Sequence, residues 1–149
     1  MKKMMTILGM VFLLALAVLI EGITVQAVAM PSLPSDVNIT PPDASLPKEL
    51  AAFYGQTGKW YATVNVGNKS EELCIIIERI DEKEVTLYFY NPVVFGWIRP
   101  ANPKLVKEYG KWKIWFQGRS GINELYMKGD KLILTFPPAR TVVFSQLKE

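Results

Sequence analysis

Apolar and polar residues alternate, with a period of two, along most of the chain after residue 58. This period is typical of β-strands that bury one face, because successive side chains point to opposite sides of a sheet. The pattern predicts about eight short strands from nine candidate stretches, two of which, at residues 93–99 and 104–108, are irregular and edge-like. The other stretches with this period are 59–66, 72–80, 84–90, 111–117, 122–127, 131–136 and 141–147.

Turns of a few residues separate these stretches, and no helix among them is long enough to carry a parallel crossover. We therefore expect an all-β fold, a small antiparallel up-and-down barrel. Closing the sheet would remove its exposed edges, and eight strands enclose room for side chains or for one small ligand. A two-sheet sandwich is the main alternative, but it would need Greek-key connections longer than these turns.

A proline-rich stretch and a short helix precede the strands. Residues 30–46 contain repeated prolines among Ser, Asp and Thr, which predicts a stiff, extended spacer. Residues 46–54 predict a helix that Gly55 ends, with Leu50 and Phe53 placed to cover one end of the barrel. The domain at residues 47–149 is large enough for one hydrophobic core and too small for two.

The first 29 residues have the composition of an export signal. Two lysines precede a nearly continuous apolar run at residues 4–20, and small residues suited to signal peptidase follow at 25–29. An uncleaved membrane anchor is the alternative, since a spanning helix needs roughly 20 apolar residues. We expect an extracytoplasmic protein that is secreted, periplasmic or on the cell surface, or one that the N-terminal helix anchors to the membrane.

The single cysteine, Cys74, lies between Leu73 and Ile75 and far from the predicted cleavage region. It therefore offers no lipoprotein anchor and no intramolecular disulfide, and its apolar neighbours indicate a buried, inert thiol.

The first predicted strand opens with Gly58-Lys59-Trp60-Tyr61. A tryptophan at this point can plug the closed end of a small barrel, and the glycine allows a tight turn beneath it. After a short helix, this stretch is similar to the Gly-x-Trp motif of the lipocalin-like, or calycin, group, and resembles many small exported bacterial proteins. Arg140, beside the last strand, would match the basic residue that packs over the tryptophan in that group. Over roughly residues 46–147, the resemblance implies binding of a small apolar molecule or a partner protein.

Most of the residue patterns that usually carry catalysis are missing from the sequence. The chain has no histidine, one cysteine without a base to activate it, and no Gly-x-Ser-x-Gly elbow. Dispersed glycines form no phosphate-binding loop, and the acidic residues fall near strand ends and turns, as solvated charges do. We expect no enzyme activity, no cofactor and no metal site. Paired-carboxylate chemistry of the glycosidase type is the catalytic alternative.

Charge argues against nucleic acid as a partner. The formal net charge is only +3, and the basic residues are scattered through turns. Some of them would form a modest basic rim if their turns met at one end of the fold, and a solvated surface is the simpler interpretation. These residues are Lys111, Lys113, Arg119, Lys128 and Lys131.

Aromatic residues supply the candidate binding site. Trp97 falls in a proline-bounded region, and Trp115 has the opposite phase to Trp112, so both could contact a ligand. Arg99 could hold an anionic head group by charge-assisted hydrogen bonds. With Tyr88 and Tyr126 these residues form the predicted ligand site, although a structural role for Trp97 is an alternative.

We expect an exported, non-catalytic binding module for a small apolar or amphipathic ligand. The alternative is a structural or protein-interaction domain of the cell envelope that has a filled barrel and is displayed on the proline-rich spacer.

Overall fold

The computed structural model describes residues 31–91 and 96–147. The predicted signal or anchor segment and residues 93–95 of one predicted strand lie outside this part. The described chain forms one helix, α1 (Lys48–Tyr54), and nine strands. None of its helices is long and apolar enough to cross a membrane. The strands are β1 (Lys59–Val66), β2 (Lys69–Ile80), β3 (Val85–Asn91), β4 (Gly96–Ile98), β5 (Lys104–Glu108), β6 (Lys111–Gly118), β7 (Gly121–Lys128), β8 (Lys131–Phe136) and β9 (Arg140–Gln146).

Helix α1 begins after Pro47, whose carbonyl accepts the amides of Leu50 and Ala51. It ends at Gly55, which adopts a left-handed φ of 64° and donates its amide to the Ala51 carbonyl. Glycine takes this conformation without the steric penalty that a side chain would add. The helix buries Leu50 and Phe53, as their spacing predicts.

The strands form one antiparallel sheet in the order β4-β3-β2-β1-β9-β8-β7-β6-β5. Strands β1 to β4 and β5 to β9 are two meanders, and the pairing of β1 with β9 joins them. Among the described residues, Trp60 pairs with Gln146 and Tyr61 with Ser145, and the Lys59 carbonyl accepts the Leu147 amide at 3.1 Å. The prediction of an antiparallel all-β fold is confirmed, with nine strands in a half-barrel. Within the described residues, β4 and β5 are the two edges of the sheet.

The concave face of the half-barrel holds the hydrophobic core. Side chains from α1 and from both meanders form one cluster, in which Ile75, Ile114 and Leu125 are completely buried. Burial of each such side chain contributes roughly 1.5–3 kcal/mol relative to exposure. We call the end of the half-barrel that α1 covers the closed end. The opposite end, where the β6–β7 and β8–β9 turns lie, is the mouth.

A bulge in β2 explains why Ile77 and Ile80 both face the core although they are three residues apart. The pairing of β2 with β3 shifts register between Ile77 and Arg79, so one extra residue enters β2 there. An inserted residue reverses the alternation of side chains beyond it.

The proline-rich stretch, predicted as a stiff, extended spacer, is bound to the sheet by hydrogen bonds. The Thr40 amide donates to the Glu78 carbonyl at 2.8 Å, and the Asn38 amide donates to Glu78 Oε1 at 2.9 Å. We call residues 32–40 the strap. Its extended backbone suits its prolines, and its hydrogen bonds make it part of the folded domain.

Candidate functional site

Trp60 and Gly58 lie at the closed end. Trp60 is only 1% exposed, and its indole N–H donates to the Phe53 carbonyl at 2.8 Å. Gly58 has a φ of 71°, and a Cβ atom there would lie 2.7 Å from the Ile77 carbonyl oxygen. The tight turn beneath the tryptophan therefore leaves no room for a side chain.

Arg140 does not lie over the tryptophan. It is exposed at the mouth end of β9, whereas Gln146, at the other end of that strand, pairs with Trp60. The two ends of β9 are about 20 Å apart at the usual rise of a strand. Gln146 donates its side-chain amide to the Tyr54 carbonyl at 3.2 Å and so contributes to the closed end instead.

A cavity of about 310 Å³ opens at the mouth on the concave face. Its volume is at the lower end of the range of small-molecule sites. Apolar side chains from both meanders form most of its wall, so the cavity lies between the two halves of the sheet. These side chains are Leu73, Phe89, Ile98, Phe116, Leu134 and Phe136.

The polar part of the cavity wall comes from one hairpin, β6–β7. Gln117, Arg119, Ser120 and Asn123 line this side. Asn123 pairs with Phe116 and has the same phase as the buried Leu125, which places it on the concave face. No acidic residue lines the cavity in the described part of the chain. The site is therefore apolar with one positively charged side.

Three residues of the predicted ligand site lie together on the convex face of β3 and β4. Trp97 belongs to β4, and its ring centroid is 5.3 Å from that of Tyr90. Arg99 lies over the Tyr88 ring at 5.5 Å and forms an ion pair with Glu78 at 3.7 Å. The Arg99 side chain is thus already occupied by a cation–π contact and a carboxylate.

The strap occupies this convex face. The Trp97 indole N–H donates to the Ser32 carbonyl at 2.8 Å, and the Tyr88 hydroxyl donates to Asp36 Oδ2 at 3.1 Å. Burial raises the pKa of Tyr88, and its hydrogen bond to Asp36 raises the pKa further. In this arrangement Tyr88 and Trp97 hold the strap to the sheet.

Trp115 and Tyr126 lie elsewhere, on the convex face of β6 and β7. The Trp115 indole donates to Glu124 Oε2 at 3.0 Å. The Lys113 ammonium, which pairs across the sheet with Tyr126, binds the carboxylates of Glu108 at 2.9 Å and Glu124 at 3.1 Å. Hydrogen bonds to these two carboxylates raise the pKa of Lys113. The structure therefore divides the predicted ligand site into two groups, and neither group lines the cavity.

Two further chemical features bear on catalysis. Burial raises the pKa of the Cys74 thiol to about 11, with a smaller contribution from the Glu72 carboxylate. Within the residues that the structure describes, no group of three or more His, Cys, Asp or Glu side chains could hold a metal ion.

The sequence contains a signal for the cavity that the aromatic residues obscure. Asn123 shares the period-two phase of Leu125 and Met127, so a polar side chain falls in an apolar series. A polar residue at such a position costs free energy unless it finds a partner, and it therefore marks a candidate contact with a ligand.

Comparison with known proteins identifies no relative: no family model matches this chain, and neither a curated protein nor a solved structure does.

Proposed function

We propose that this chain is an exported, non-catalytic binding module whose mouth cavity holds a small apolar or amphipathic molecule. The observation that carries the proposal is the cavity of about 310 Å³, with its apolar wall and a few polar groups on one side. This combination is typical of small-molecule sites, in which apolar contact gives affinity and a few polar groups fix orientation.

The proposed location outside the cytoplasm rests on the composition of residues 1–29. A lipocalin-like origin and a fully closed barrel belong to the same proposal, and Gly58 with Trp60 supports both. Pairing between β4 and β5 would close the half-barrel beside Ile98, which is part of the cavity wall.

A protein-interaction domain of the cell envelope is the alternative proposal. The fully buried core residues between the closed end and the cavity, such as Ile75 and Phe144, favour a filled interior there. In this case a partner protein would bind the outer surface, where Tyr109 and Val143 are exposed.

A neutral apolar fluorophore, N-phenyl-1-naphthylamine, tests the cavity. Ile98 lines it from β4, so Ile98→Trp fills part of the volume and we expect the affinity for the fluorophore to fall by about tenfold. The fluorescence of the probe, excited directly, measures its binding.

Val143→Trp is the matched control. Val143 is also an exposed aliphatic strand residue, but it lies on the convex face of β9 and not at the cavity. We expect this variant to bind like the unchanged chain. An equal loss of fluorophore affinity in Ile98→Trp and Val143→Trp, or no binding of the fluorophore to the unchanged chain, would contradict the proposal.

A further inference from the structure

The two sides of the mouth cavity differ in chemistry. Strands β2, β3 and β4 contribute Leu73, Phe89 and Ile98, while the polar groups come from the β6–β7 hairpin. A ligand that has one apolar part and one polar end would therefore bind in a single orientation, with the polar end toward the hairpin.

Arg119 is the one charged side chain that lines the cavity in the described part of the chain. Arg79 and Arg99 both pair with acidic side chains, at 3.2 Å and 3.7 Å. Arg119 has no such ion pair among the described residues. Its guanidinium therefore keeps all its donors available, and a guanidinium matches the two oxygens of a carboxylate.

The Asn123 side chain adds a second free polar group on the concave face. Among the described residues, its amide makes no hydrogen bond, and it lies beside the backbone of Gly118. An amide in this position can donate to an oxygen of a bound molecule. The hairpin thus offers the cavity more donors than acceptors and a net positive charge.

We propose that the ligand is a single-chain amphipathic acid, whose carboxylate binds Arg119 and Asn123 while its chain lies against the apolar wall. This inference rests on the proposed function and names the ligand class of the same cavity. A volume of about 310 Å³ suits one chain of modest length. The sequence predicted an anion site at Arg99, but the charge of Arg99 is already paired with Glu78. The proposed anion site is therefore Arg119.

Decanoate and decanol, which share a chain and differ in the charge of the head group, test this assignment. Isothermal titration calorimetry on the unchanged chain at neutral pH should show decanoate binding about tenfold more tightly than decanol, with the difference shrinking at high salt. In Arg119→Gln, decanoate should lose about tenfold in affinity, and decanol should bind as before.

Arg140→Gln is the control, since Arg140 is an exposed arginine at the same end of the half-barrel that does not line the cavity. We expect it to leave the preference for decanoate intact. Equal affinities of the unchanged chain for decanoate and decanol would overturn the head-group assignment but would still agree with binding in the mouth cavity. An equal loss of decanoate affinity in Arg119→Gln and Arg140→Gln would also overturn the head-group assignment, since the loss would then reflect the net charge of the protein and not one binding arginine. Failure of both compounds to bind would overturn the proposed function itself.

Discussion

At the closed end, single residues determine how the chain enters the sheet. Gly58 donates its amide to the Tyr54 carbonyl and accepts the Ile77 amide, so its backbone links α1 to β2. Trp60 then fills the space beneath the helix. Two residues in this short stretch therefore connect the helix, the first strand and the core.

Gly58→Ala should destabilise the fold strongly, because the new methyl group meets the Ile77 carbonyl at a positive φ. Gly129→Ala is a matched control, with a φ of 62° and open space around the added Cβ. We expect Gly58→Ala to lose at least about 2 kcal/mol more than the control in chemical unfolding, since backbone strain is common to both. Equal losses would show that the contact with Ile77 is unimportant.

Cys74 should be nearly inert in the folded protein. A thiol whose pKa is about 11 has roughly a hundredth or less of the thiolate that an ordinary cysteine has near pH 8, and Cys74 is also fully buried. Its reaction with Ellman's reagent should therefore be at least a hundredfold slower than in the guanidinium-unfolded chain.

Val143→Cys in a Cys74→Ala background is the control for that measurement, because Val143 is 54% exposed. It should react quickly in the folded state. A fast reaction of native Cys74 would mean that this strand opens readily.

At the scale of elements, the alternation of residues predicts most strands to within a few positions. Strands β1, β5 and β8 begin and end where the pattern indicates, because their inward residues share one core. The pattern could not predict which face β4 presents. That strand has three residues, and its pairing with β3 decides that Ile98 faces the cavity while Trp97 faces the strap.

The strap is the element that local patterns describe least well. Its few apolar residues and its prolines resemble a linker, yet its contacts depend on Glu78, Tyr88 and Trp97, which are distant in sequence. Hydrogen bonds to residues so far along the chain leave no periodic signal.

Asp36→Ala should loosen the strap, because it removes the acceptor for the Tyr88 hydroxyl. Loss of about 1 kcal/mol from this contact corresponds to roughly fivefold faster hydrogen exchange at the Asn38 and Thr40 amides. Asp43→Ala is the control, since the hydrogen bonds of the Asp43 side chain within the described residues are local and go to Ser45. Unchanged exchange in the Asp36 variant would show that this contact does not secure the strap.

At the scale of the whole molecule, the two meanders depend on one core. In the described part of the chain their backbone pairing is confined to residues 59–61 and 145–147, while the buried cluster includes side chains from both meanders. We therefore expect the meanders to unfold together, as small single domains usually do.

Leu125→Ala removes a fully buried side chain from the second meander and should cost about 2–5 kcal/mol. Hydrogen exchange should then accelerate equally in peptides from β2 and from β7. Ile122→Ala, at a residue of the same strand that is 52% exposed, should change stability by less than about 0.5 kcal/mol. Protection that persists in β2 while β7 loses it would contradict a shared core.

The candidate site is formed by several strands of both meanders, and for that reason the sequence predicted it only in part. The apolar concave face follows from the alternation of residues, but the cavity wall combines side chains from strands β2, β3, β4, β6, β7 and β8. The abundance of aromatic residues predicted a ligand site at Tyr88, Trp97, Trp115 and Tyr126, but all four lie on the convex face. The polar groups of the cavity come from the β6–β7 hairpin, and the sequence alone does not show that this hairpin lies opposite β2, β3 and β4.

The routes by which the chain enters and leaves the domain have a practical consequence. Ser32 bonds to Trp97, the neighbour of the cavity residue Ile98, whereas the Leu147 amide bonds to the Lys59 carbonyl at the closed end. An affinity tag placed after residue 147 would project from the closed end and leave the cavity accessible. A bulky fusion partner placed directly before residue 32 would lie against β4, the strand that contributes Ile98 to the cavity wall, so immobilisation through the C-terminal side suits ligand screening.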